Sequence, residues 1–308
     1  MLTRSMSKKK FPQPYPVAPL TGGTPLQPWM TLGIKNRHER DNKIHFDEPT
    51  HIYTVNGSSR GNCSTTTFIH HFFPHFDADK TIKNMMKSPK WPESKWFGMT
   101  PEAIKAAWNA NGREASELGT AIHLACEMVM NGAEDQVDVE VKKTAEWSHF
   151  KKYWEVDSRK FEPWRTEWEV WDSDLKLSGS IDMVYRNKTD GTFAIYDWKR
   201  SKDMKLDNTF ENGYGPCAHL PNCNYAHYKL QLNIYKYYLE THYGVKVSEM
   251  ALVVLHPNND TFQVYPVPPM EKEVQAMLEA RRRAVKRGLG HVADFEEPKA
   301  KAMFLDDD

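Results

Sequence analysis

The stretch LSGSIDMVYRNKTDGTFAIYDWKRSK, residues 177–202, constrains the fold most. Two apolar runs of strand length are joined by the turn-forming NKTDG, and each carries acid at the end far from that turn. Burying an unpaired charge is expensive, so core strands end in Asp182, or in Asp197 and Lys199, only where something compensates them. Residues two apart in a strand share a face, so Asp197 and Lys199 project together and Trp198 points away. Paired as an antiparallel hairpin, the two runs bring Asp182 to the same edge of the sheet as Asp197 and Lys199.

The surrounding sequence supplies the rest of a layered fold. KIHFDEPTHIYTVNG reads as a hairpin ended by Asn56-Gly57, and STTTFIHHFF as a short helix with good N-cap residues. The Trp-rich region that follows predicts two helices, the first starting at Thr100-Pro101, the two meeting near Asn111-Gly112 and ending at Asn131-Gly132. TAEWSHFKKYWEVDS is a further helix, and FEPWRTEWEVWDSD a third strand beside the central pair. NYAHYKLQLNIYKYYLETHYG is an amphipathic helix, EMALVVLHP a buried strand, TFQVYPVP another, and PMEKEVQAMLEARRRAVKRG a final helix. Helix, three strands, helix, strand predicts an α/β (α+β) fold, with helices flanking a central mixed sheet. Residues 1–40, rich in Pro, Gly, Thr and Lys without periodicity, read as a disordered arm.

Composition narrows the class of partner. Lys plus Arg and Asp plus Glu both number 41 in 308 residues, so a polyanion would have to meet a local basic patch. Four cysteines are too few for a disulfide scaffold and suggest free thiols in an intracellular protein. No apolar run approaches the roughly 18 residues of a membrane span, and the start has no secretory-signal pattern.

Two clustered carboxylates repel, and the usual resolutions are a shared proton or a cation; Mg²⁺ is typically held by one or two carboxylates, waters and substrate phosphates. That chemistry suits phosphodiester hydrolysis, with Lys199 placed to orient a water or steady developing negative charge. An Asp-x-Lys alone also fits a surface ion pair. Context decides between them. GTAIH (Gly119, His123), GSID (Gly179, Asp182), DWK (Asp197, Lys199) and QLNIY (Gln231, Tyr235) occur in this order over roughly residues 100–256. The set resembles the PD-(D/E)XK nuclease superfamily, in its RecB-like exonuclease branch, and the wording of HYKLQLNIYKYYLE and LVVLHP resembles nuclease proteins of large DNA viruses and phages.

The resemblance implies a restriction-endonuclease-like core of order αβββαβ. The domain would run over 41–308, with an N-terminal hairpin and helical elaboration at 41–115, the catalytic core at 116–256, and a C-terminal strand and helix at 257–308. It implies Asp182, Asp197, His123 and the Trp198 carbonyl as ligands of Mg²⁺ or Mn²⁺, Lys199 as the catalytic lysine, and Gln231 with Tyr235 as positioning groups. Glu127, one turn past His123, is an outer-shell or second-metal candidate or else a solvated helix residue. Either Glu167 or Glu169 supplies a further acid, and strand alternation cannot choose between them because they share a face. Gly119 in a helix interior wants a reason, such as close approach to the sheet or to substrate, and Thr120 lies beside it.

For substrate, Arg200, Lys202 and Lys205 place positive charge beyond the catalytic strand, and RRRAVKR at 281–287 is a second basic block or a solvated helix face. Trp91, Trp96, Phe97 and Trp108 fit a stacking platform or a helical core. Cys217, His219, Cys223 and His227 match no standard zinc spacing, and the lack of any cysteine after Cys223 argues against an iron–sulfur cluster. The expected activity is metal-dependent cleavage of DNA ends or single strands. An RNA-cleaving or structure-specific endonuclease, and a non-catalytic nucleic-acid-binding protein of this fold, are the alternatives.

Overall fold

A computed structural model describes residues 27–288. After a short helix α1 (Thr31–Lys35), β1 (Ile44–Asp47) and β2 (Ile52–Val55) form the expected hairpin, and β3 (Cys63–Ser64) leads into α2 (Thr65–His70). Then come α3 (Ala78–Lys87), the long α4 (Pro101–Met130), α5 (Val139–Lys142) and α6 (Ala145–Asp157). Three strands follow, β4 (Phe161–Asp172), β5 (Leu177–Asn187) and β6 (Phe193–Lys199). The described part closes with α7 (Asn224–His242), β7 (Val247–Val254), β8 (Gln263–Pro266) and α8 (Glu271–Lys286).

β4, β5 and β6 pair antiparallel in sequence order, as a chain with short connections should. β7 then lies parallel to β6, which requires a crossover, and α7 provides it. β8 pairs antiparallel with β7, and β3 parallel with the start of β5, so the sheet is mixed and six-stranded. Both faces are covered. Phe68, Phe72, Leu230, Ile234, Tyr238 and Met277 from α2 and the turn after it, α7 and α8 pack on one face, against Val170, Ile195 and Leu252. Ile122, Cys126, Phe150 and Tyr153 from α4 and α6 pack on the other, against Tyr185, Tyr196, Trp198 and Val253. Burial on both faces is why β6 and β7 read as continuous apolar runs. Among the described residues, no helix is long and apolar enough to cross a membrane.

Two sequence expectations need correction. Residues 1–26 of the expected arm lie outside the described residues, but residues 27–40 are folded rather than loose. Trp29 and Leu32, each 7% exposed, pack in the cluster with α4, and the Leu32 amide donates to Asn131 Oδ1 at 2.8 Å. Two anchors three residues apart make no readable period, so composition hid them. The second correction is that Pro101–Met130 is one helix, not two. Gly112 does not take the left-handed conformation of a helix C-cap, and its roughly 1 kcal/mol cost is outweighed by docking at both ends of the helix. Ile104 is buried near one end and Ile122, Ala125 and Cys126 near the other, while residues 109–118 are exposed all round.

If the segment before α1 is a working part of the core, Trp29→Ala should lower the unfolding free energy by about 3 kcal/mol in a denaturant titration. A change within about 0.5 kcal/mol is what a loose arm would give.

Candidate active site

The pairing of β5 with β6 is the expected hairpin, but Asp182 lies in the middle of β5 rather than at its end, because β5 continues to Leu177 paired with β4 and β3; only Asp197 and Lys199 close their strand. Met183 lies opposite Tyr196, which brings Asp182 and Asp197 level one step further on. Trp198 is buried and packs edge-on against Phe150 and Tyr153, with ring centroids 5.6 and 5.4 Å away. That anchor turns Asp197 and Lys199 to the opposite face, where they form an ion pair. The Lys199 ammonium also lies 4.6 Å from the centre of the Tyr228 ring. Asp182 Oδ2 accepts from the Trp198 amide at 3.0 Å and lies 3.5 Å from His123 Nδ1, so α4 reaches the same edge.

Glu167 completes the group, and its backbone explains how. Its φ is +42°, a left-handed conformation that costs a non-glycine residue energy and marks a local break in the strand. Across that break the alternation slips: Trp168 and Ile181 pack with the α7 side, whereas Met183, two residues beyond Ile181, packs with the α4 side. Glu167 accepts from the Ser180 hydroxyl at 2.9 Å, and one ligand atom each from His123, Glu167 and Asp182 lie within 4.8 Å of one another. Among the described residues this is the one such group of histidine, cysteine and acid side chains. Glu169 points elsewhere, its surroundings being the Phe46 backbone, Asp41 and Arg165.

The Gly-x-x-Asp and Gln-x-x-x-Tyr motifs interlock physically. A Cβ on Gly179 would stand 2.7 Å from the Tyr235 ring and hydroxyl, so the glycine makes room for α7 to bring Tyr235 onto β5. Gln231 Nε2 donates to the Tyr235 hydroxyl at 3.2 Å and both side chains are buried.

Electrostatics follow from crowding. Burial, then the charge of Asp182, raises the Asp197 carboxyl from an ordinary 3.8 to about 7, with Lys199 opposing. Burial, then Asp182 and Glu127, pushes Glu167 well up as well. Burial would lower Lys199, but the carboxylates of Asp197 and Asp182 outweigh it and hold the ammonium charged. Burial keeps His123 below its ordinary value, against Asp182 and a hydrogen bond to the Trp198 backbone, so the imidazole is neutral and able to ligate. An imidazole and clustered carboxylates form a donor set suited to a divalent metal ion. His123, Glu167 and Asp182 would hold the ion, with Asp197 and the Trp198 backbone adjoining.

The remaining candidates divide. Glu127 is not a solvated helix residue: it is 6% exposed and accepts from Thr166 at 3.2 Å. Gly119 has no atom within 4 Å of a would-be Cβ, so packing on the sheet does not require it, and Thr120 beside it is exposed. Lys202 and Lys205 are exposed, but Arg200 is engaged with Glu146 of α6 at 2.8 Å. Arg281 of the second basic block is buried and donates to the carbonyls of Leu175, Gly61 and Lys176. Cys217 meets Met277, His219 pairs with Glu273, and His227 packs against His70 and Phe73. Trp96 packs edge-on against Trp108 and Trp91 against Phe97, a cluster that leaves Phe97 57% exposed. Sequence reasoning missed Tyr228 and Ser180. Tyr228 was detectable as the residue one turn before Gln231 on the same helix.

A profile of the PD-(D/E)XK nuclease superfamily matches residues 99–301. Among solved structures, a candidate exonuclease from Eubacterium rectale is similar at 14% identity, over 60% of this chain and 71% of its own, with a TM-score of 0.36. The protein SSO0001 is similar at 15% identity, over 62% and 73%, with a TM-score of 0.26. Among curated proteins none matches the sequence.

Two measurements check the site's physics. A carboxyl whose folded pKa is raised stabilises the fold below its ordinary value and loses that contribution as pH climbs to the raised one. In EDTA, thermal stability should therefore fall as pH rises from the ordinary carboxylate range to about 7, and Asp197→Asn should flatten the slope. Gly179→Ala should cost about 1–3 kcal/mol of stability, and adding Tyr235→Ala should recover part of it rather than add to it.

Proposed function

Because the chain belongs to the PD-(D/E)XK nuclease superfamily, we propose that it is a metal-dependent deoxyribonuclease, an exonuclease of the RecB-like kind that hydrolyses phosphodiester bonds at DNA ends or in single strands. The observation that carries this reading is the convergence of His123, Glu167 and Asp182 within 4.8 Å beside the Asp197–Lys199 ion pair. A divalent cation bound there would lower the pKa of a bound water and offset charge on the scissile phosphate.

The chain's own residues account for the remaining chemistry. Lys199, kept protonated by its carboxylate neighbours, donates hydrogen bonds to the attacking water or to a phosphate oxygen and does not serve as a base. Asp197 holds that ammonium in place, and the Tyr228 ring limits its other directions. The Trp198 amide, bonded to Asp182, fixes the rotamer of the acid that faces His123. Gln231 and Tyr235 form the wall of the site on α7. Exposed Lys202 and Lys205 supply phosphate contacts just beyond β6.

Purified protein incubated with end-labelled linear single- and double-stranded DNA, closed circular DNA and RNA, in Mg²⁺, Mn²⁺ or EDTA, tests the reading. Linear DNA should be degraded only with metal, and Lys199→Ala should slow it roughly a hundredfold or more. Cleavage in EDTA, or an unimpaired Lys199→Ala protein, would sink the mechanism. Closed circles cut as fast as linear DNA would remove the exonuclease assignment, and preferential loss of RNA would change the substrate.

A further inference from the structure

Glu167 belongs to two features at once, the ligand cluster and a cavity of about 700 Å³. The inner wall of the cavity is β4, from Arg165 to Glu169, with Glu127 of α4. Its outer walls are the segment before α1, α1 itself, residues 37–43 after it, and the β1–β2 hairpin with Asn56 and Gly57. These walls precede residue 99, where the superfamily match begins.

The lining selects its ligand. Trp29, Met30, Ile34 and Ile44 give it apolar surface, and Asn42 and Asn56 add side-chain amides that both donate and accept. Asp41, Glu127, Glu167 and Glu169 outnumber the lining cations Arg37, Lys43 and Arg165, and two of those are already engaged, Arg165 by Asp41 at 2.7 Å and Arg37 by the Asn42 side chain, so the lining disfavours a phosphate. Two buried nitrogens of lining residues, His45 Nδ1 and Arg165 Nε, have no hydrogen-bond partner, although Arg165 is only 7% exposed. Neither atom is open to solvent, so both lie beneath the cavity surface and the ligand meets the lining residues through their other atoms. A nucleobase meets all of these terms, with flat apolar faces suited to an indole and an edge of donors and acceptors. The volume suits one small ligand, in the usual range of roughly 300–1,000 Å³, rather than a passing strand.

We propose that this cavity binds the base and sugar of the terminal nucleotide of an unpaired DNA strand, setting the last phosphodiester at the His123–Glu167–Asp182 cluster. The inference rests on the nuclease reading and sharpens it: water adds across the terminal P–O bond, and a mononucleotide leaves. Digestion starts at an end because the cavity accepts only an end.

Binding can be separated from cleavage. Calorimetry in EDTA on the full-length Lys199→Ala protein, titrated with deoxyadenosine monophosphate or with inorganic phosphate, should show the nucleotide binding and the phosphate not. Gly33→Phe fills the cavity without backbone strain, since the only atom near its would-be Cβ is Arg165 Nε at 4.0 Å. It should weaken nucleotide binding about tenfold or more, about 1.4 kcal/mol, and Ile34→Trp, at a partly exposed lining position, should do the same. In the active protein, linear single strands ending in a base-less residue should be degraded more slowly than normal ends, and Gly33→Phe should erase the difference. Phosphate binding as well as the nucleotide, unchanged binding in both filled variants, or equal rates on the two ends would overturn the proposal. Nucleotide binding by a protein that cleaves no DNA would support the cavity and refute the nuclease reading instead.

Discussion

Mutual repulsion among Glu167, Asp182 and Asp197, three carboxylates gathered on the neighbouring strands β4, β5 and β6 and largely removed from water, is the constraint the site is built around. The protein offsets only part of it. Lys199 neutralises Asp197, and the Trp198 amide and Ser180 hydroxyl each donate to one of the other two acids. Two of the three carboxyls still hold their protons far above the ordinary range, which is the electrostatic condition of a site that gains from a divalent cation.

Keeping such a cluster together requires a rigid frame, and the packing supplies it from both faces of the sheet. Trp198, wedged against Phe150 and Tyr153, fixes the side on which Asp197 and Lys199 emerge. Tyr235 seated over Gly179 locks α7 onto β5. Farther along, Arg281 of α8 binds the carbonyls of Leu175 and Lys176 at the start of β5, and that of Gly61 just before β3, so the strand carrying Asp182 is held at its far end as well. A charged side chain there does structural work that its sequence neighbourhood, RRRAVKR, disguises as a surface patch.

Much of this was legible in the sequence because it obeys simple periods. The two-residue repeat put Asp197 with Lys199 and Trp198 opposite, and the turn NKTDG set the edge at which Asp182 joins them. The choice between Glu167 and Glu169 was not legible, because the left-handed backbone at Glu167 breaks the alternation on which the argument depends. Trp29 and Leu32 were hidden by the composition around them, and the continuity of α4 by an Asn-Gly step that elsewhere ends helices. Each miss is a case of tertiary contact overriding a local signal. The cavity beyond Glu167 was not legible either, since its walls come from segments with no common motif.

The central claim is that a divalent cation, and not protons alone, relieves this crowding. Anomalous scattering from crystals grown with Mn²⁺ tests it most directly. A single strong peak within ligand distance of His123, Glu167 and Asp182, lost in crystals of Asp182→Asn, is the result this account predicts. Mn²⁺ bound away from those side chains, or no bound ion in crystals whose pH has been raised through the Asp197 value of about 7, would contradict it.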